Sequence, residues 1–315
     1  MIKNFTVSFF VLLLSYSISF SEVEVKKFES ENIEVIKFQV PDKKFPKKDD
    51  VLAQIHFPQN MNGKVPLIIH QHGSTRDGIK FKKWGGKTDA WGSEIIKAAL
   101  QRGYGVAVID AFYKRGLKPD KKTKFPNPVN IALKLGEIFS SDDRIDNSRI
   151  YYTGFSYGAE WIMMLQGQNY VNQKIFRAVV AAEPGCNALA NPAKSNLSTL
   201  IIKGTDSHYY PRACESYIEV VKDVGNKIEY VSIPKVNHFF SLNGKIGKGK
   251  AFNGCSDNII LINSDGSMKH RDGTDVGKKG WSKCFTKESG EGKSREKLNE
   301  AINLALDFVD KNSSS

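Results

Sequence analysis

The segment Gly154-Phe155-Ser156-Tyr157-Gly158 carries the strongest chemical signal in the chain. An apolar run, Ile150 to Thr153, leads into it and a helical run, Ala159 to Leu165, leads out, so Ser156 is expected on a sharp strand-to-helix turn. Glycines two before and two after remove side chains that would clash there, and the geometry exposes Oγ to a substrate. A serine hydroxyl is a weak nucleophile until a base takes its proton, so a histidine and an orienting carboxylate must come from elsewhere. Behind a turn of this kind they follow in the order acid, then histidine. Asp206, just past the strand-like run that begins at Leu200, is the expected acid; Glu183, at the end of the run Ala178 to Ala182, is the alternative. Of six histidines, His56, His70 and His72 come before the serine, His208 is read as a site wall or surface residue, and His270 lies in a polar stretch. His238, after the strand-like Ile228 to Ile233, is the expected base. Acyl transfer also needs donors for an oxyanion, for which the backbone N–H groups of Tyr157 and Ser74 are the candidates.

The elements that must position these residues repeat one grammar. Apolar runs at Pro66 to His70, Val106 to Ile109, Ile150 to Thr153, Ala178 to Ala182 and Leu200 to Ile202 alternate with helical stretches, which predicts an α/β protein with a mostly parallel sheet. A helix is expected over Asp89 to Arg102, ended by Gly103. Others are expected from Pro211 to before Gly225 and over Arg295 to Val309. Glu22 to Asp50 reads as edge strands, and Asp110 as the organiser of a loop. Asn243 to Lys293 is a polar excursion with one apolar run, Ile259 to Ile262, and the tail Ser313 to Ser315 is expected to fray.

The series Pro66 to His70 with His72-Gly73, Asp110-Ala111-Phe112 with Arg115-Gly116, Asp146 to Ile150, Gly154 to Gly158, Gly204 to Asp206 and Asn237-His238-Phe239 resembles the α/β-hydrolase superfamily, and within it the dienelactone-hydrolase-like branch. The resemblance spans about Val51 to Phe240 and the last helix. It implies a single domain over residues 22–315, helices on both faces of the sheet, and an ester or lactone hydrolase using Ser156, His238 and Asp206. The founding members of that branch carry cysteine where this chain has Ser156. A peptidase or acyltransferase shares the same constellation, and a non-catalytic binding protein could keep the fold.

With 315 residues, 40% hydrophobic and 25% charged, the chain suits a folded globular domain and neither a disordered nor a polytopic membrane protein. Lys3, the apolar stretch Val7 to Leu14 and Ser19-Phe20-Ser21 read as a leader cleaved after residue 21, so export to the periplasm or medium is expected. No later run reaches the ~20 apolar residues a spanning helix needs. The net charge of +12 comes from lysines scattered as short pairs, read as a solvated surface and not as a nucleic-acid site. Cys186, Cys214, Cys255 and Cys284 lack C-x-x-C metal spacing, and in an oxidising compartment they are expected to pair as Cys186 with Cys214 and Cys255 with Cys284. No phosphate loop, dinucleotide fingerprint or HExxH occurs, so no nucleotide or metal cofactor is implied. The expected partner is a small-molecule or polymeric ester.

Overall fold

The apolar runs become strands because their residues alternate between two buried faces. In Leu67-Ile68-Ile69, Leu67 and Ile69 join one core while Ile68 joins the other. The structure is a computed structural model describing residues 23–46, 49–119, 124–238, 246–277, 280–290 and 294–313. The proposed leader, Lys47-Lys48, Lys121-Lys122, Phe239, Phe240 and Lys278-Lys279 lie outside the described residues.

In chain order the first elements are β1 (Glu24–Phe28), β2 (Ile33–Gln39), β3 (Asp50–His56), β4 (Val65–Gln71), α1 (Ala90–Gln101), β5 (Gly105–Asp110), α2 (Pro128–Ser140), β6 (Ile145–Phe155) and α3 (Tyr157–Met163). They are followed by β7 (Ala178–Ala182), β8 (Ala188–Ala190), β9 (Ser198–Gly204), α4 (Pro211–Asp223) and β10 (Ile228–Ile233). The excursion then forms β11 (Ile246–Ala251), β12 (Ile260–Ile262), β13 (Met268–His270), α5 (Gly280–Lys283) and β14 (Thr286–Gly290), before the closing helix α6 (Arg295–Lys311). Among the described residues nine strands make one sheet in the order β1-β2-β3-β5-β4-β6-β7-β9-β10. The pairs from β1 to β3 and on to β5 are antiparallel, and every pair from β5 through β4, β6, β7 and β9 to β10 is parallel. Parallel strands share one carboxyl edge, and that edge is where such sheets bind ligands.

α1 and α6 cover one face through Trp91, Ile95, Leu298 and Ile302. The other face is covered by α2, α3 and α4 through Leu135, Phe139, Ile162 and Tyr217. α2 was not singled out from the sequence although its signals are complete: the Asn127 side chain accepts the Val129 N–H, Pro128 opens the helix, and Val129, Ala132, Leu135 and Phe139 are buried. The strand before Ser156 is longer than expected, running from Ile145 to Phe155.

Two features depart from the sequence reading. Ser313 does not fray: its hydroxyl lies 3.1 Å from the Tyr104 hydroxyl and 2.6 Å from that of Tyr151. The polar excursion also contributes to the core. β12 pairs in parallel with β8, burying Ile259, Ile260 and Leu261, so the excursion extends the core beside the site edge.

Both expected disulfides are present, Cys186–Cys214 and Cys255–Cys284, with sequence separations of 28 and 29. By chain entropy each contributes about 3.5 kcal/mol. The first ties the turn after β7 to α4, and that turn begins at Glu183. Serine at both Cys186 and Cys214 is therefore expected to lower the melting temperature and activity together. Serine at Cys255 and Cys284 should lower mainly the melting temperature; melts and ester turnover of the two double variants check this.

Candidate active site

Ser156 stands between β6 and α3 with φ 52° and ψ −112°, a left-handed conformation that is strained for a residue with a Cβ. Its neighbours explain the glycines. A Cβ on Gly158 would lie 2.5 Å from the Gln71 carbonyl oxygen, and one on Gly154 would lie 2.6 Å from the Gly158 carbonyl carbon. The turn is so tight that helix and strand backbones touch, which lifts Oγ out of the sheet edge.

The Ser156 Oγ is 2.9 Å from His238 Nε2, and His238 Nδ1 is 2.9 Å from Glu183 Oε2. Thus the acid beside His238 is Glu183, at the end of β7, and not Asp206. Asp206 is exposed; its carboxylate accepts the neighbouring Thr205 hydroxyl at 2.8 Å, and its backbone N–H bonds the Val236 carbonyl. The turn after β9 instead sends Ser207 inward, whose Oγ donates to Glu183 Oε2 at 2.8 Å. Glu183 itself has a φ of 59° and is fully buried. Gly204 makes room for it: a Cβ there would come 3.1 Å from Glu183 Oε1, and the Gly204 N–H donates to that same oxygen.

Four donors therefore converge on one carboxylate: His238 Nδ1, Lys203 Nζ at 3.0 Å, Ser207 Oγ and the Gly204 N–H. Burial alone would raise the Glu183 pKa. The Lys203 ammonium and the hydrogen bond from His238 outweigh it and bring the carboxyl down to about 2. An ionised Glu183 can only accept, so Nδ1 of His238 carries the proton and Nε2 is the acceptor for Ser156. Because the folded-state value lies below the ordinary 4.5, Glu183 ionisation contributes stability that is complete above about pH 4.5 and drains as pH falls toward 2. Melting temperatures across pH 2 to 5 should drop steeply in the wild type. Glu183→Gln, with no carboxylate to protonate, should show a shallower acid slope.

The imidazole of His238 is 3% exposed and boxed by rings: Phe155 at 5.4 Å, His208 at 4.8 Å and Tyr209 at 4.9 Å between centroids. His208 is thus a wall of the site, as one of its two sequence readings had it. Burial, then the proximity of His238, depresses its pKa to about 3, so it presents a neutral ring at neutral pH. The excursion reaches this wall, since Asn253 Nδ2 donates to the His208 carbonyl at 2.7 Å and Asn253 Oδ1 accepts the Tyr210 N–H at 3.0 Å.

The loop after β4 lies against the turn. A Cβ on Gly73 would be 2.9 Å from the Phe155 ring and 3.4 Å from the Ser156 Cβ. The Gly73 N–H is committed to Asp89 Oδ2 at 2.6 Å, and Asp89 is held in turn by His70 Nε2 at 2.9 Å. The next N–H along is that of Ser74, and Tyr157, the first residue of α3, contributes an N–H from the end of a helix where such groups lack intrahelical partners. The other early histidines are likewise structural: His72 Nε2 accepts the Ala111 N–H at 3.1 Å, and His56 contacts Gln54 at 2.9 Å. Asp110 organises its loop by accepting from Arg76, Lys87 N and Phe112 N. His270 lies at the end of β13, with Nδ1 2.9 Å from the Asn258 carbonyl.

Sequence reading passed over Lys203. The signal was present, since a lysine closing the buried run Leu200-Ile201-Ile202 needs an anionic partner inside the protein. Among the described residues no group of three or more His, Cys, Asp or Glu side chains could hold a metal ion, and no helix is long and apolar enough to cross a membrane.

No family model and no curated protein matches this chain. Solved structures do. The butyrate-bound esterase Est2 of the planctomycete Thermogutta terrifontis matches with a TM-score of 0.52 and 13% identity, covering 86% of this chain and 93% of that one. The same esterase phosphoramylated by tabun matches with a TM-score of 0.52 and 13% identity over 92% and 94%. At this identity the likeness shows the fold, which is that of the α/β hydrolases.

Proposed function

We propose that this chain, an α/β hydrolase by fold, is an exported serine hydrolase of carboxylic esters that acts through Ser156, His238 and Glu183. The observation that carries the reading is the unbroken relay from Ser156 Oγ to His238 Nε2 and from His238 Nδ1 to Glu183, each link 2.9 Å long. Its middle member is buried and its acid ionised.

The chemistry follows from that relay. His238 Nε2 takes the proton of Ser156 Oγ as Oγ bonds to the ester carbonyl carbon, and the carbonyl π electrons move onto oxygen. The N–H groups of Tyr157 and Ser74 receive that oxyanion. Collapse breaks the bond to the leaving alkoxy oxygen, which takes the proton from His238, and an acyl group remains on Ser156. Water then repeats the sequence, giving up a proton to His238 as its oxygen attacks, and releases the acid while Ser156 recovers its proton. Throughout, Glu183 stabilises the imidazolium without itself taking a proton.

The leader-like sequence of residues 1–21 and the two disulfides support the export reading. The solved relative was captured with butyrate, so short acyl chains are the first to test. A panel of p-nitrophenyl esters from acetyl to long acyl, with lactones, acetylated sugars, a polyester and peptide amides as further arms, is expected to show ester turnover highest among them. Turnover of the amides above every ester would overturn the ester assignment. Absence of all turnover would favour a binding protein of this fold.

A further inference from the structure

β9 delivers a lysine into the interior. Lys203 is fully buried, and a buried ammonium is costly unless it is paired and hydrogen-bonded. Its Nζ sits 3.0 Å from Glu183 Oε2 and 3.0 Å from the Pro184 carbonyl, with the Tyr209 ring centroid at 5.8 Å. The oxygen it binds is the one that His238 Nδ1 also reaches, at 2.9 Å. Ammonium and imidazole therefore share one acceptor atom.

We propose that Lys203 is a positioning residue for the reaction, fixing the Glu183 carboxylate against β9 and holding down the basicity of His238 by sharing Glu183 Oε2 with it. This rests on the reading of Ser156, His238 and Glu183 as the reacting group. Glu183 with Lys203 is neutral, so a neutral His238 leaves the buried cluster uncharged, whereas an imidazolium gives it a net positive charge out of contact with solvent. Without Lys203, Glu183 would form a full ion pair with His238, and the imidazole would hold its proton to higher pH, idle as a base. The other groups facing the cluster do not replace Lys203. Glu160 on α3 acts on Lys203 through space, and His208 and Tyr209 come from the turn after β9. Tyr230 on β10 carries its hydroxyl, and Ser156 is the nucleophile itself. In keeping with this, burial pushes the Lys203 ammonium below its ordinary value while Glu183 acts in the opposite sense.

A lysine that merely packed β7 against β9 would change stability and not the pH profile. The test is the pH dependence of the second-order rate of Ser156 labelling by a fluorophosphonate in wild type, Lys203→Met and Lys203→Arg. His238 ring-proton titration by NMR is recorded in the same proteins. Lys203→Met is expected to move the midpoint of the rising limb and of the His238 titration upward by about one pH unit or more, which is about tenfold in labelling rate on the acid side of the limb. Lys203→Arg should restore the wild-type midpoint. Should the Met variant fail to fold, Lys203→Gln, which is neutral yet can donate to Glu183, reads the same shift. A folded neutral variant with the wild-type midpoint would overturn the proposal. Wild-type protein that the probe does not label would instead sink the hydrolase reading, and the NMR midpoints would still decide the effect of Lys203 on His238.

Discussion

Ser156→Ala is expected to lower kcat/KM for any ester substrate by on the order of 10⁶-fold, the scale seen when the nucleophile of a serine triad is removed. The effect is this large because the methyl side chain leaves no oxygen to form the acyl-enzyme. The N–H donors at Tyr157 and Ser74 would remain and could stabilise a water-derived oxyanion, so a residue of about 10³-fold over the uncatalysed rate is expected to survive. The fold should be unaffected, since Ser156 is only half-buried and its side chain contributes no helix cap. Esterase assays paired with thermal melts separate loss of chemistry from loss of structure. A fully active Ser156→Ala variant would remove the nucleophile assignment.

The second large effect separates the two acids. Glu183→Gln is expected to cost on the order of 10⁴-fold in kcat, because an amide cannot hold His238 in the tautomer that accepts from Ser156 or balance the imidazolium. The same change leaves Lys203 buried beside a neutral group, so stability should fall as well, by roughly 3–5 kcal/mol. Rates are therefore to be taken per folded molecule, at a temperature well below the variant's melt. Asp206→Asn should stay within about twofold of wild type in both properties, as expected of an exposed side chain that accepts the adjacent Thr205 hydroxyl. A dead Asp206→Asn beside an active Glu183→Gln would reverse the acid assignment.

The two acids were indistinguishable by local pattern, and the reason is physical. Both follow a buried apolar strand, Glu183 directly and Asp206 two residues on, and both lie between Ser156 and His238 in the chain. What separates them is a set of contacts across neighbouring strands. Glu183 has Lys203, the Gly204 N–H and Ser207 arrayed around its carboxylate, whereas Asp206 has a serine successor that turns inward in its place. Lys203 was the clue in the chain itself, since an ammonium at the end of a buried apolar run calls for a buried anion. By contrast, Ser156 was legible because its flanking glycines are local requirements of one turn. The strands of the parallel sheet were legible because burial on both faces writes continuous apolar runs.

The excursion shows the same limit. Its hydrophilic composition marks a polar excursion, yet Ile260–Ile262 pairs with Ala188–Ala190, and a short parallel pairing of that separation leaves no mark in either segment alone. The cystine pairing, on the other hand, followed from placement. The turn after β7 and the first turns of α4 stand at neighbouring strand ends, and Cys186 and Cys214 occupy them.

Covalent capture decides whether Ser156 is an activated nucleophile. Protein recovered from the exported fraction is treated with a fluorophosphonate at neutral pH, digested and mapped by mass spectrometry. The expected result is one adduct per molecule, on the Ser156 hydroxyl, with esterase activity falling in proportion to its formation. An unmodified Ser156 in protein that still hydrolyses esters, or a stoichiometric adduct on a different serine that abolishes turnover, would contradict it.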